Sequence, residues 1–306
     1  MIITASALDD IRTAFRREFD ETYRTLRATS FYASVAYTAS SGGASNTYGW
    51  LGAFPQMREW VGDRVVRDLK ESAYVITNRL WEDTVGVNRT DIEDDNLGMY
   101  TGLIRALAEE CAVHPDMLVA ELMRTGETRL CFDGQNFFDT DHPVYAAHDG
   151  TGAVTTVSNY DDGGATPGPA WYLLDCRRQL RPFIFQERLK PELETKDNPS
   201  TSDQVFMKDQ YLYGARARHN VGYGFWQMAY KSRAPLTEAN FKAARERMRT
   251  IARDGGTPMG IRPTHLVVGA SNQAAAEDLI LRDLIGSGNK NPLYKSVEVL
   301  DIDWIE

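Results

Sequence analysis

The sequence predicts an α+β fold, and three observations carry this. Residues 7–27 and 97–125 place apolar side chains at steps of three and four. Residues 171–231 contain runs rich in aromatic and aliphatic residues, WYLLDC, PFIFQE, QVFM, YLYGARAR and GFWQMAYK, which read as strands. From Thr237 onward the pattern is helix, strand, helix, strand, a compact α/β layer.

The first helix has Leu8, Ile11, Phe15, Phe19, Tyr23 and Leu26 on one stripe and five arginines among acids on the other, a solvated amphipathic face. Residues 28–47 are small, polar and aromatic, with Gly42-Gly43 in the middle. They suit no independent element and read as an extended arm that orders against another surface. Residues 65–69, 73–77 and 80–87 read as strands, with a polar hairpin tip at 68–72 and a second turn at Asn78-Arg79. This ribbon carries too many charges to build its own core, so it needs a partner surface.

Asp91, Glu93, Asp94 and Asp95 precede the second helix. They are expected to complement its dipole, with Asp95 or Asn96 as cap, rather than to bind metal. Leu97, Tyr100, Ile104, Leu107 and Cys111 line that helix; Pro115 is expected to kink or restart it, and Gly126 to end it. Thr237 caps a helix carrying Phe241, Ala244, Met248 and Ile251. Residues 264–268 form a buried strand, Ser271 caps a helix reaching residue 285, and residues 297–304 form a last strand.

Composition bounds the function. With 306 residues, 42% hydrophobic and 25% charged, the chain can bury a large core. A formal net charge of -9 argues against a free-standing nucleic-acid binder. No apolar run approaches membrane-spanning length, and the first residues meet charges too early for a secretory signal. Cys111, Cys131 and Cys176 lack metal-type spacing and read as reduced thiols in a cytoplasmic setting. There is no Gly-x-Ser-x-Gly elbow, no phosphate-binding Gly-Lys-Ser/Thr and no His-Glu-x-x-His. Gly222 and Gly224 precede no helix and form no phosphate loop. Asp139, Asp141, His142 and His148 form the one set that invites a metal-dependent hydrolase. They sit in a turn-rich loop where such residues bond the backbone, so no catalytic, metal or cofactor residue is assigned. A small-molecule binding domain is a further alternative, with no cofactor motif behind it.

The stretches SNTYGWLGAFPQMREWVGDR, DTVGVNRTDIEDDNLGMY, CFDGQNFFDTDHPVY, WYLLDCRRQLRPFIFQERLKPEL and NVGYGFWQMAY, with GIRPTHLVV and its Ala-rich helix, resemble the major head subunit of Mu-like tailed bacteriophages. They span nearly the whole chain from Ser45 onward. The resemblance implies the Hong Kong 97-like capsid fold and a structural, non-enzymatic role. It implies an N-terminal helix and arm over residues 1–48, an extended loop over 49–92, and a peripheral domain with a spine helix over 93–165. Peripheral or axial strands over 166–234 and an axial-like α/β unit over 235–306, in permuted order, complete it. The implied partners are copies of the chain in pentamers and hexamers, a scaffolding protein, a head maturation protease, a portal, and packaged double-stranded DNA. The implied location is the virion capsid, with assembly in the host cytoplasm and no membrane contact. Trp60 and Trp81 are expected either as apolar anchors on a neighbour or, equally, as buried residues of the subunit's own peripheral domain, and Arg64, Arg67, Lys70 and Arg79 as ion-pair partners. No Lys–Asn crosslink is expected at Lys70. A nanocompartment shell of the same fold is the alternative.

Overall fold

The computed structural model describes residues 4–51, 74–94, 97–148, 150–197, 202–286 and 288–306. Helix α1 (Ala5–Arg27) starts where the Thr4 hydroxyl accepts the Ala7 N–H, and it buries Leu8, Ile11, Phe15 and Phe19. A helical turn, α2 (Tyr32–Val35), leads into β1 (Ala36–Ser40). Strand β2 (Ser45–Tyr48) pairs antiparallel with β3 (Tyr74–Thr77). The arm expected to order against another surface finds that surface on its own chain.

Strand β4 (Arg79–Asn88) and the short α3 (Arg89–Glu93) precede the spine helix α4 (Gly98–Thr125). Asn78 is not a turn residue. It is buried and hands the chain from one sheet to the next. Its amide donates to Ser41 Oγ (2.7 Å) and the Gly43 carbonyl (2.9 Å), and its oxygen accepts from Gln186 Nε2 (2.8 Å). Helix α4 also departs from expectation, running unbroken through Pro115. The residues around the proline are tied to the segment that follows α1. The Ser30 hydroxyl donates to the Ala112 carbonyl, and the Asp116 carboxylate accepts the Tyr32 N–H at 2.8 Å. The expected caps Asp95 and Asn96 lie outside the described residues. Asp91 belongs to α3, where it accepts from the Tyr100 hydroxyl and so ties that turn to the spine.

Beyond the spine come the hairpin β5 (His142–Tyr145) and β6 (Val154–Val157), then β7 (Tyr160–Asp161) and β8 (Trp171–Leu174). The long strands β9 (Phe183–Lys196) and β10 (Gln210–Tyr223) follow, joined through α5 (Asp203–Lys208). QVFM is thus helix rather than strand. Ser202 caps it, and Asp209 closes it in the left-handed region. Strand β11 (Ala229–Ser232), helix α6 (Glu238–Thr250), β12 (His265–Val268), α7 (Ala270–Ala276) and β13 (Glu298–Asp301) complete the chain. Thr237 caps α6 as expected. Ser271 does not cap α7. It lies in the first turn, bonded to the Glu306 carboxylate, and the helix ends in a π-turn at Glu277–Leu281 rather than at residue 285.

One sheet runs β1-β9-β10-β4 and carries α1 and α4; the other runs β13-β12-β8-β11-β7. Strands read from the sequence as one block are therefore split. The short β8 and β11 join the C-terminal unit, and the long β9–β10 pair is an excursion inserted between them. No described helix is long and apolar enough to cross a membrane.

Candidate assembly interface

Strands β1 and β4 are the edges of the long sheet. On β4, Arg79, Glu82 and Asp83 are exposed, so this edge is charged, a device that keeps an open edge from indiscriminate pairing. Trp60, Arg64, Arg67 and Lys70 lie outside the described residues. Of the six anticipated contact residues, Arg79 and Trp81 are described.

Arg79 is solvent-exposed at the start of β4. Trp81 packs on its own subunit. Its indole N–H donates to the His219 carbonyl at 3.0 Å, its ring meets His114 edge-on at 4.3 Å between centroids, and it stacks near His219. The two histidines share a hydrogen bond between His114 Nδ1 and His219 Nε2 at 2.9 Å. With Trp81, Glu82, Asp83, Glu110 and Cys111 they line a cleft of about 160 Å³ between spine and sheet. Burial lowers both histidine pKa values, and the neighbouring His114 and Arg27 help push His219 down to about 3. Burial pushes the Cys111 thiol up to about 11, so it is an unreactive thiol.

The root of the anticipated loop is held by a buried polar network. The Tyr48 hydroxyl donates to Gln186 Oε1 at 2.8 Å, and Gln186 Nε2 bonds both the Ile76 carbonyl and Asn78. Gly222 lies beneath β3, where an added Cβ would fall 2.4 Å from Ile76 Cδ1. Gly224 is equally constrained, 2.4 Å from the Arg181 carbonyl. The two glycines are packing sites. No local sequence signal marks His114, His219 or the Gln186 network, because their partners come from distant segments.

The hydrolase set does not converge. Asp139 accepts the backbone N–H groups of Asn136 and Thr140, and Asp141 is exposed beside it. His148 is exposed and bonds the Asp254 carbonyl. His142 turns inward to Asp133, which sequence reasoning passed over. Among the described residues, Cys131, Asp133 and His142 are the group of donor atoms drawn close together.

A spine helix laid on a sheet of long strands, a strand pair that brackets residues 52–73, and a second sheet with its own helices define a shell-forming subunit of the Hong Kong 97-like capsid fold. The chain superposes on the "Procapsid of bacteriophage JBD30" with a TM-score of 0.88 and 48% identity, covering 99% of this chain and 100% of that one. It superposes on the JBD30 capsid decorated with minor capsid protein trimers with a TM-score of 0.74 and 34% identity, covering 90% and 91%. It is 43% identical over 308 residues to the major capsid protein of Escherichia phage Mu, covering 100% of both chains.

The chain belongs to the Mu-like prophage major head subunit gpT family, whose profile matches residues 8–305. It is a major capsid protein, a structural subunit that builds the virion capsid shell and not an enzyme.

Proposed function

We propose that copies of this chain close as pentamers and hexamers into an icosahedral shell around double-stranded DNA, held without sequence recognition. The observation that carries this reading is the likeness of nearly the whole chain to a procapsid subunit. The net charge of -9 fits a wall that contains DNA without gripping it. The long-strand sheet and spine then serve as peripheral domain, and the five-stranded sheet as axial domain, interrupted in sequence by the long β9–β10 pair rather than following it as a permuted block. Residues 49–92 serve as the extended loop and residues 1–48 as helix and arm. Many modest contacts close such a shell cooperatively. Arg79 is an ion-pair partner on a neighbour, as are Arg64, Arg67 and Lys70, and Trp60 is its apolar anchor. Trp81 sets the orientation of β4 from within its own subunit and adds its open edge to that contact. Assembly takes place in the host cytoplasm, with a scaffolding protein, a maturation protease and a portal. Trimers of a minor capsid protein decorate the finished shell, as they do that of JBD30.

Electron microscopy of purified protein, with nucleic-acid analysis of any particles, tests the proposal. Closed shells containing DNA are expected when the phage genes are expressed together. Shells that enclose protein cargo and no DNA would favour the nanocompartment reading. A strictly monomeric chain at high concentration with assembly factors present would overturn both.

A further inference from the structure

The turn that follows the spine helix gathers three side chains of metal-ligating chemistry. Cys131 Sγ donates to Asp133 Oδ1 at 3.0 Å, and His142 Nδ1 lies 2.8 Å from Asp133 Oδ2. The donor atoms of all three lie within 4.8 Å of one another. Cys131 is 6% exposed and His142 fully buried, while the Asp133 side chain is 11% exposed.

The backbone presets this arrangement. Cys131 N–H bonds the Gln135 carbonyl, Gly134 takes a positive φ of 86°, and the Gln135 N–H bonds Asp133 Oδ1. Only a residue without Cβ adopts that φ at little cost, so the turn aims Cys131 and Asp133 the same way. The third group arrives from β5. The His142 ring lies flat on Trp226, 3.9 Å between centroids and 7° from parallel, which fixes its plane.

A buried thiol, carboxylate and imidazole facing one another form a mixed sulfur, oxygen and nitrogen donor set, which suits a borderline-soft divalent ion. With metal–ligand distances near 2.0–2.3 Å, tetrahedral zinc holds its donor atoms roughly 3.4–3.6 Å apart. The two close pairs need to open by about half an ångström, and the Cys131–His142 pair, within 4.8 Å, must come to the same spacing.

We propose that Cys131, Asp133 and His142 form a structural binding site for one divalent transition-metal ion, zinc by donor preference. The ion fastens the turn after the spine helix to the first strand of the following hairpin. The fourth position falls to water or to the Asn136 carbonyl, which lies 4.0 Å from Cys131 Sγ. On binding, the Cys131 thiol releases its proton to solvent and the sulfur bonds the metal as thiolate. The single ring proton of His142 moves from Nδ1 to Nε2 as Nδ1 takes the metal. No electron transfer is involved.

The test titrates the full-length protein with cobalt(II), a zinc surrogate whose thiolate complex absorbs light. A thiolate–cobalt band saturating at one ion per chain is expected, displaced by zinc and preserved in Cys111→Ser and Cys176→Ser. Cys131→Ser and Asp133→Asn are expected to weaken binding at least about tenfold; the second keeps the shape of the turn should the first fail to fold. Zinc is expected to raise the thermal midpoint of the wild-type protein and a chelator to reverse the rise. Absence of the band in wild-type protein under excess cobalt, or a band that survives in both variants, overturns the proposal.

Discussion

His219 is 3% exposed and lies against His114, Trp81 and the Phe185 ring. Its pKa falls from the usual 6.5 to about 3, chiefly through burial, then through the fields of His114 and Arg27. The acids lining the cleft, Glu82, Asp83 and Glu110, do not reverse that shift. An unfolded chain protonates this histidine near pH 6.5, whereas the folded chain resists until about pH 3. The unfolded state therefore binds more protons across that window. Stability contributed by the neutral ring is complete above about pH 6.5 and is lost as pH falls toward about 3. Urea unfolding of disassembled subunits is expected to show a loss of about 1.4 kcal/mol per pH unit for each proton taken up. His219→Gln is expected to flatten this slope, and a slope unchanged in that variant would place the acid sensitivity elsewhere. Because the pair shares a proton bond, the measured midpoint belongs to His114 and His219 together.

The packing of β3 over β10 depends on Gly222. A methyl group there meets the Ile76 side chain at 2.4 Å, so Gly222→Ala is expected to destabilise the subunit by about 1–3 kcal/mol. Ile76→Ala empties the space that the new methyl needs. The double variant is therefore expected to be more stable than the sum of the single effects implies, and a double-mutant cycle in urea measures that coupling. Strict additivity would mean that the strand moves aside instead. This contact also marks where sequence reasoning ends. Periodicity finds α1, the spine and α6, because their apolar stripes are local, and the Thr237 cap of α6 is a near neighbour. It finds only the apolar half of β9, since residues beyond Gln186 alternate between charged and apolar types and are paired by β10. It reads QVFM as strand because four residues carry too little period to separate helix from strand. The split between the two sheets is set by pairing partners far along the chain. The Cys131–Asp133–His142 group escaped for the same reason, since the histidine was read with its sequence neighbours Asp139 and Asp141.

At the scale of the molecule, two hydrophobic clusters divide the core among the described residues. One gathers α1, the first half of α4 and the β4 side of the long sheet, including Phe19, Ile104 and Tyr213. The other gathers the second half of α4, the five-stranded sheet and α6, including Met123, Trp171 and Phe241. Three long elements cross from one to the other. Helix α4 contributes Tyr100 to the first cluster and Val119 to the second; β9 contributes Leu193 and Phe183, and β10 contributes Tyr213 and Tyr223. None of the three can unfold at one end without exposing backbone hydrogen bonds that its other end shares with the same helix or sheet. The two clusters are therefore expected to melt as one unit despite the length of the chain. Phe19→Ala and Phe241→Ala, each at a fully buried ring in a different cluster, are each expected to cost about 3–5 kcal/mol. Both are expected to shift the same single transition, with far-ultraviolet circular dichroism and tryptophan fluorescence coincident in each. Two resolved transitions, one moved by each variant, would show that the spine and the long strands fail to couple the halves. Coupling of this kind matters for a tile in a shell. α4, β9 and β10 are then the elements expected to carry a load from the first cluster into the second sheet.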